Sequence, residues 1–307
     1  MAARRILITG ASGFIGSVLA RDLAAGGYEV VALTRNAKAS RERFHGSVAL
    51  REWDGRTAAG WGPLADGALA IVNLAGDNLA QGRWTRSKKE RILQSRTDAG
   101  AAVVEAVRTA GTKPKVLLQA SAVGAYGGRG DEELDESSPS GTGFLAEVVK
   151  SWEDSTKEVE AHGVRRAIMR SGIVLGKAGG AWPRLALPFR FFVGGPLGNG
   201  RQWFSWISLQ DEVRAVRFLI ERKELSGTFN LVAPRPLRQK EFCRILGKAM
   251  RRPSLLPVPA LVLRVLFGEK AVETLLAGQR VLPRRLLEAG FDFRHPDAAT
   301  VVTAILE

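Results

Sequence analysis

Gly10, Gly13 and Gly16 recur every three residues directly after the apolar run Ile6-Leu-Ile-Thr9, and Ile15 onward opens a helical pattern. Glycines so placed permit a tight turn, let backbone N–H groups approach a pyrophosphate, and let the helix pack closely on the strand. The helix N-terminus adds positive potential where an anion would lie. With a strand before, a helix after and a second strand at Glu29–Thr34, this is a dinucleotide-binding arrangement. The end of that second strand discriminates between two dinucleotides. An NAD site places Asp or Glu there, about 20 residues past the glycines, on the ribose 2′-hydroxyl. This chain reads Ala32-Leu-Thr-Arg35-Asn36, without a carboxylate. The planar guanidinium of Arg35 suits a 2′-phosphate, so NADP(H) is the expected cofactor.

Three strings in order, Thr9-Gly-Ala-Ser-Gly-Phe-Ile-Gly16, Asn73-Leu-Ala-Gly76 and Ser121-Ala-Val-Gly-Ala-Tyr-Gly127, resemble the extended short-chain dehydrogenase/reductase superfamily and its sugar epimerases and dehydratases. Residues 194–213 and 278–296 further resemble its "epimerase family protein" branch, which ends in a small domain of unknown function. The resemblance spans essentially the whole chain. It implies an extended Rossmann fold, a nicotinamide cofactor across the carboxyl edge of the sheet, and a small-molecule substrate. By it, Gly10, Ser12, Gly13, Phe14, Ile15 and Gly16 would line the pyrophosphate, Arg35 the 2′-phosphate, and Leu74, Ala75 and Gly76 the adenosine-side ribose. Ser121 would sit near the nicotinamide, and Asn73 would point away from the cofactor.

The superfamily's enzymes carry a Tyr and a Lys four residues apart on one helix face. The lysine lowers the phenol pKa from about 10 so that it can exchange a proton during hydride transfer. Here only Tyr28 and Tyr126 exist, followed four residues on by Ala32 and Gly130. The helix expected to carry the pair begins Phe144-Leu-Ala-Glu, with Phe144 and Leu145 near the tyrosine's place. Two catalytic candidates remain. Ser121 is either an acid/base-supporting hydroxyl or a strand-end serine bonded to backbone, and Tyr126 is either a phenol at the site or part of its wall. Lys150 is expected on the exposed face of its helix. His45, His162 and His295 are widely spaced, and neither a metal-ligand pattern nor a nucleophile elbow occurs. Trp203 and Trp206, beside a glycine-rich loop, are expected near a substrate. The alternatives are an NADP(H)-dependent oxidoreductase or epimerase-like enzyme for a small polar or nucleotide-linked substrate, and a non-catalytic NADP(H)-binding sensor.

The elements that must position these residues alternate as strand and helix through the first 170 positions, the pattern of a doubly wound parallel α/β sheet. Strands are expected at 6–9, 29–34, 48–53, 70–74, 116–120, 166–170 and 227–232, and helices at 15–25, 88–110, 144–161 and 211–221. Ser208, with Asp211 three residues on, predicts a capped start for the last of these. The expected domains are a Rossmann unit over 1–170 to which 204–233 return, and a smaller C-terminal substrate lobe over 171–203 and 234–307.

Composition sets the remaining bounds. The chain has 307 residues, 45% hydrophobic and 25% charged, with Cys243 its single cysteine, which excludes an intrachain disulfide and fits a cytoplasmic location. The apolar run at Leu255–Phe267, broken by Pro257, Pro259 and Arg264, is too short to span a bilayer and is expected in the core, with no membrane partner. The net charge of +14 is spread along helices without a nucleic-acid-binding motif, so no specific nucleic-acid partner is expected.

Overall fold

A computed structural model describes residues 4–44 and 46–307; His45 and the first three residues of the N-terminal run lie outside the described residues. The β-branched apolar runs form seven parallel strands: β1 (Arg5–Thr9), β2 (Glu29–Thr34), β3 (Ala49–Glu52), β4 (Ala70–Asn73), β5 (Val116–Ala122), β6 (Arg165–Ser171) and β7 (Gly227–Leu231). Their order across the sheet is β7-β6-β5-β4-β1-β2-β3. The chain leaves β1 toward β2 on one side and later returns to β4 on the other, so a crevice opens beyond the carboxyl ends of β1 and β4.

Both faces of the sheet are covered, as its near-continuous apolar strands require. Ile6 and Ile8 point into a core shared with helix α1 (Phe14–Ala25), whereas Leu7 points into a core shared with a long helix at Arg86–Thr109. Between these two helices lies α2 (Ala37–Phe44), so the long one is α3. Next come α4 (Phe144–Asp154), α5 (Trp182–Arg190), α6 (Leu209–Glu221), α7 (Gln239–Met250) and α8 (Ala260–Phe267). Ser208 caps α6 through the Asp211 N–H. The helix expected over 144–161 stops at Asp154, and a 3₁₀ turn, Lys157–His162, follows. Arg166 donates to the Glu153 carbonyl at 2.7 Å, satisfying an orphan acceptor at that helix end.

A separate cluster built on Trp182, Phe189, Phe204, Trp206, Phe242 and the helix Ala298–Leu306 forms the second lobe. The two parts interlock. Arg280–Val281 pairs in parallel with Glu133–Leu134, and Leu286, Phe291 and Phe293, expected in the substrate lobe, belong to the sheet's own core. The run Leu255–Phe267 departs from expectation more sharply. It is not core: Leu255, Leu256, Leu261, Val262, Val265 and Leu266 are exposed, and Leu263 alone of α8 is buried. Among the described residues, no neighbouring element buries the helix's other faces.

Candidate functional site

The loops after β1, β2, β3 and β4 surround a cleft of about 520 Å³ at the carboxyl edge. Gly10, Ser12 and Gly13 line one side, Leu74, Ala75 and Gly76 the other, and Arg35 stands at the end of β2. Gly10 adopts φ 65°, and a Cβ there would fall 2.8 Å from the Leu74 carbonyl oxygen, so only glycine lets the two walls approach. Phe14, Ile15 and Gly16, expected along the pyrophosphate, are not in this lining. Phe14 packs its ring on Gly176, Gly179 and Gly180, and Gly16 presses against the Gly10 carbonyl, where a Cβ would come within 2.6 Å. Ile15 is half-buried. Helix α1 has no side-chain cap and no acid in its first turn, so its leading N–H groups keep their attraction for an anion.

The cleft holds residues the sequence did not disclose, and Arg43, outside its lining, donates to the Ser12 carbonyl at 3.0 Å. Trp53, Asp54 and Arg56 enter from the loop after β3, and Arg91, Gln94, Ser95 and Asp98 from α3. Arg56 lies 3.8 Å from Asp98. The loop after β3 could have been found by topology, since every strand of a parallel sheet delivers its following loop to the same edge; Arg43 carried no such signal.

Buried polar groups brace the strand ends. Thr9 donates to Asn73 Oδ1 at 2.6 Å and Asn73 Nδ2 to Gln119 Oε1 at 2.9 Å, so Asn73 faces the interior. Thr9 Oγ1 also accepts from the Leu74 and Ala75 N–H groups at 3.1 and 3.2 Å, which fixes the cleft's second wall. Arg96 lies beneath Gly76, donating to the carbonyls of Asp77 and Ile92. Burial lowers its pKa to about 10, against the opposing charge of Asp77. It therefore stays cationic at neutral pH under the wall that Gly76 presents.

Ser121 and Tyr126 separate into different environments. Ser121 donates to Glu153 Oε1 at 2.5 Å, and Arg170 holds both oxygens of that carboxylate at 2.8 and 2.9 Å. Burial alone would lower the Arg170 pKa, but the hydrogen bonds and charge of Glu153 prevail and raise it. Tyr126, the expected phenol, is fully buried, its hydroxyl donating to Asn230 at 2.7 Å and its ring 4.9 Å from the Arg170 guanidinium. Burial raises its pKa further. Tyr126 is thus a packing residue, which corrects its assignment as a catalytic one: a desolvated phenol with its proton engaged has no opening toward the cleft. Lys150 is exposed on α4. Nothing in the spacing of Ser121, Glu153 and Arg170 announced their union; α4 and β6 bring it about.

At the head of α4, Phe144 meets Trp84 edge-on at 5.1 Å, with the Lys89 ammonium 4.7 Å from its ring. Glu273 accepts from the Phe144 and Leu145 N–H groups at 3.0 and 2.8 Å, capping the helix from far downstream. Glu212, on α6, is buried; it accepts from the Ser171 hydroxyl at 2.6 Å, and its other oxygen has no hydrogen-bond partner among the described residues. Burial pushes its pKa up to about 7, only partly opposed by Ser171. The two tryptophans expected near a substrate do not line this cleft. Trp206 is core, and Trp203 donates to Asp131 beneath the Arg238 guanidinium.

Comparison with known proteins gives this arrangement a context. The model of the NAD dependent epimerase/dehydratase family matches residues 6–231, and a domain of unknown function, DUF1731, matches residues 258–305. Epimerase family protein Mb2239 of Mycobacterium bovis is 41% identical over 295 residues, covering 96% of this chain and 95% of the relative. Epimerase family protein YfhF of Bacillus subtilis is 35% identical, covering 98% and 97%. A crystal structure of human epimerase family protein SDR39U1 (isoform2) with NADPH superposes with a TM-score of 0.88 at 32% identity, covering 98% of each chain. The Thermus thermophilus UDP-glucose 4-epimerase complex with NAD shares the fold, with a TM-score of 0.77 at 18% identity. Glycine turn, strand order and full-length likeness agree: the chain belongs to the NAD dependent epimerase/dehydratase family.

Proposed function

We propose that the protein binds NADP(H) in the cleft beyond β1 and β4 and acts as an oxidoreductase or epimerase-like enzyme on a small polar or nucleotide-linked substrate. The observation that carries this is the meeting of the Gly10–Gly13 turn, the uncapped start of α1 and an Arg35 that has no carboxylate partner among the described residues. The cleft fits the group by its own construction: the walls approach only because Gly10 lacks a Cβ, and Arg35 and Arg56 supply cations where a 2′-phosphate would lie. Bound NADP(H) supplies or accepts a hydride. In this reading Gly10, Ser12 and Gly13 hold the pyrophosphate against the head of α1, with Phe14, Ile15 and Gly16 behind them shaping that turn. Leu74, Ala75 and Gly76 bound the adenosine side, with the Arg96 charge beneath. Ser121 sits toward the nicotinamide; with its proton engaged by Glu153, it is left to accept a hydrogen bond.

The test is calorimetric titration with NADPH and NADH. NADPH should bind more tightly, and Arg35→Ala should erase the preference by weakening NADPH about 10- to 100-fold, the worth of one charge-assisted pairing. Equal affinity for the two cofactors, or an unchanged preference in the variant, would show that Arg35 does not read the phosphate.

A second reading, a non-catalytic NADP(H) sensor, is favoured by one observation. Tyr126 is sealed in the core and Tyr28 bonds to Glu221 at 2.9 Å, so neither phenol serves the cleft. NADPH oxidation across carbonyl compounds and sugar nucleotides separates the two readings.

A further inference from the structure

The exposed apolar run belongs to a larger face. Residues 191–198 lie beside residues 253–258: Leu197 bridges Val258 in parallel, Val258 N–H donates to the Pro196 carbonyl at 2.9 Å, and Gly198 N–H to the Val258 carbonyl at 2.8 Å. This pairing joins Phe191, 70% exposed, with Phe192 and Val193 to Leu255, 80% exposed, and Leu256. Helix α8 begins at Ala260 and adds Leu261 at 71% and Val265 at 65%. Large apolar side chains scattered singly on a surface are ordinary, but a contiguous group of this size marks an interaction site.

The charge around the face is mostly positive, with Glu269, paired to Lys89, as the acid next to α8. Segments 176–210 and 251–268 contain no Asp or Glu, yet carry Arg184, Arg190, Arg251, Arg252 and Arg264. Among the described residues none of these five arginines pairs with a carboxylate. The Arg252 guanidinium sits 4.2 Å from the Phe192 ring, within the apolar group itself. Lys270, just past α8, has its pKa lowered by burial and then by the neighbouring charges of Arg184 and Lys88, so cations crowd this side of the lobe. A second copy would set these unpaired arginines against their own kind on a chain of net charge +14. An anionic lipid surface satisfies both features: the apolar side chains enter the boundary between headgroups and acyl chains, and the arginines meet the phosphates.

We propose that the face formed by residues 191–193, residues 255–256 and helix α8 docks on an anionic lipid bilayer. It lies on the membrane rather than through it, since no described helix is long and apolar enough to cross one. This replaces the expectation of no membrane partner, which rested on the lack of a spanning segment. It is independent of the cofactor assignment.

The experiment is co-sedimentation of the full chain with vesicles of phosphatidylcholine alone or mixed with phosphatidylglycerol. The mixed vesicles should be bound at least about tenfold more tightly, given roughly fivefold for each arginine near an anionic surface. Leu261→Asp combined with Val265→Asp should weaken that binding about tenfold or more. Both positions are exposed, so an unchanged melting temperature shows the variant is folded. Arg251→Glu with Arg252→Glu should lose the preference for phosphatidylglycerol while the apolar ridge remains. Three results overturn the proposal: no binding to either vesicle, binding that survives both pairs of substitutions, or a concentration-dependent dimer, without vesicle binding, that Leu261→Asp with Val265→Asp abolishes.

Discussion

The Tyr126 hydroxyl ends on Asn230, so Tyr126→Phe removes one buried hydrogen bond and leaves an acceptor unpaired. A stability loss of about 1–2 kcal/mol is expected, measured by urea denaturation, while any NADPH-oxidising turnover stays within a few-fold of wild type. Ser121→Ala should reduce turnover at least as much, because it removes the hydroxyl placed toward the nicotinamide while Arg170 keeps Glu153 in place. A general acid contributes about 10²- to 10⁴-fold; a loss of that size in Tyr126→Phe, with cofactor affinity intact, would restore the phenol as the catalytic group. The residues whose place at the cleft was legible beforehand were those positioned by local chain geometry. Gly10 must be glycine because of its φ and its distance to Leu74, and Arg35 stands out because β2 ends without a carboxylate. Glu153, Arg43 and Glu273 were illegible because each reaches its partner across the fold, and nothing local distinguishes them from solvated surface charges.

Helix α6 carries a pH dependence of definite sign. Glu212 has a pKa pushed up to about 7, against about 4.3 in an unfolded chain. The folded state therefore holds this proton more tightly. Below about pH 4.3 both states are protonated and the group costs nothing; as pH rises toward 7 stability falls, by about 4 kcal/mol in all. Glu212→Gln keeps an acceptor for Ser171 but cannot ionise. Its melting temperature should therefore gain on wild type between pH 5 and pH 8, and a difference that stays flat across that range would mean Glu212 is not held neutral. At this scale the sequence is most readable where a cap or an apolar period marks an element, as Ser208 does for α6 and Ile6–Thr9 for β1. It is least readable where a tertiary contact ends one, as Arg166 does for α4. The run Leu255–Phe267 was misplaced for a related reason: hydropathy predicts burial only when some element is available to cover the residues.

Across the whole molecule, the two family matches, residues 6–231 and 258–305, do not mark a physical seam. Asp211 accepts from the Arg294 and His295 N–H groups, Ser205 donates to the Gln279 carbonyl, and the Leu282 N–H donates to the Leu134 carbonyl. Calorimetry should accordingly show residues 258–305 melting with the sheet in one transition; a distinct earlier transition for that segment would refute the interlock. The Glu273 clip on α4 gives the same interlock a meaning in time. Its carboxylate lies 129 residues beyond Phe144, and a ribosome moving at about 5–20 residues per second needs on the order of ten seconds to make that stretch. During that interval the head of α4 emerges without its cap, and the first turn of the helix is completed only once residue 273 has been made.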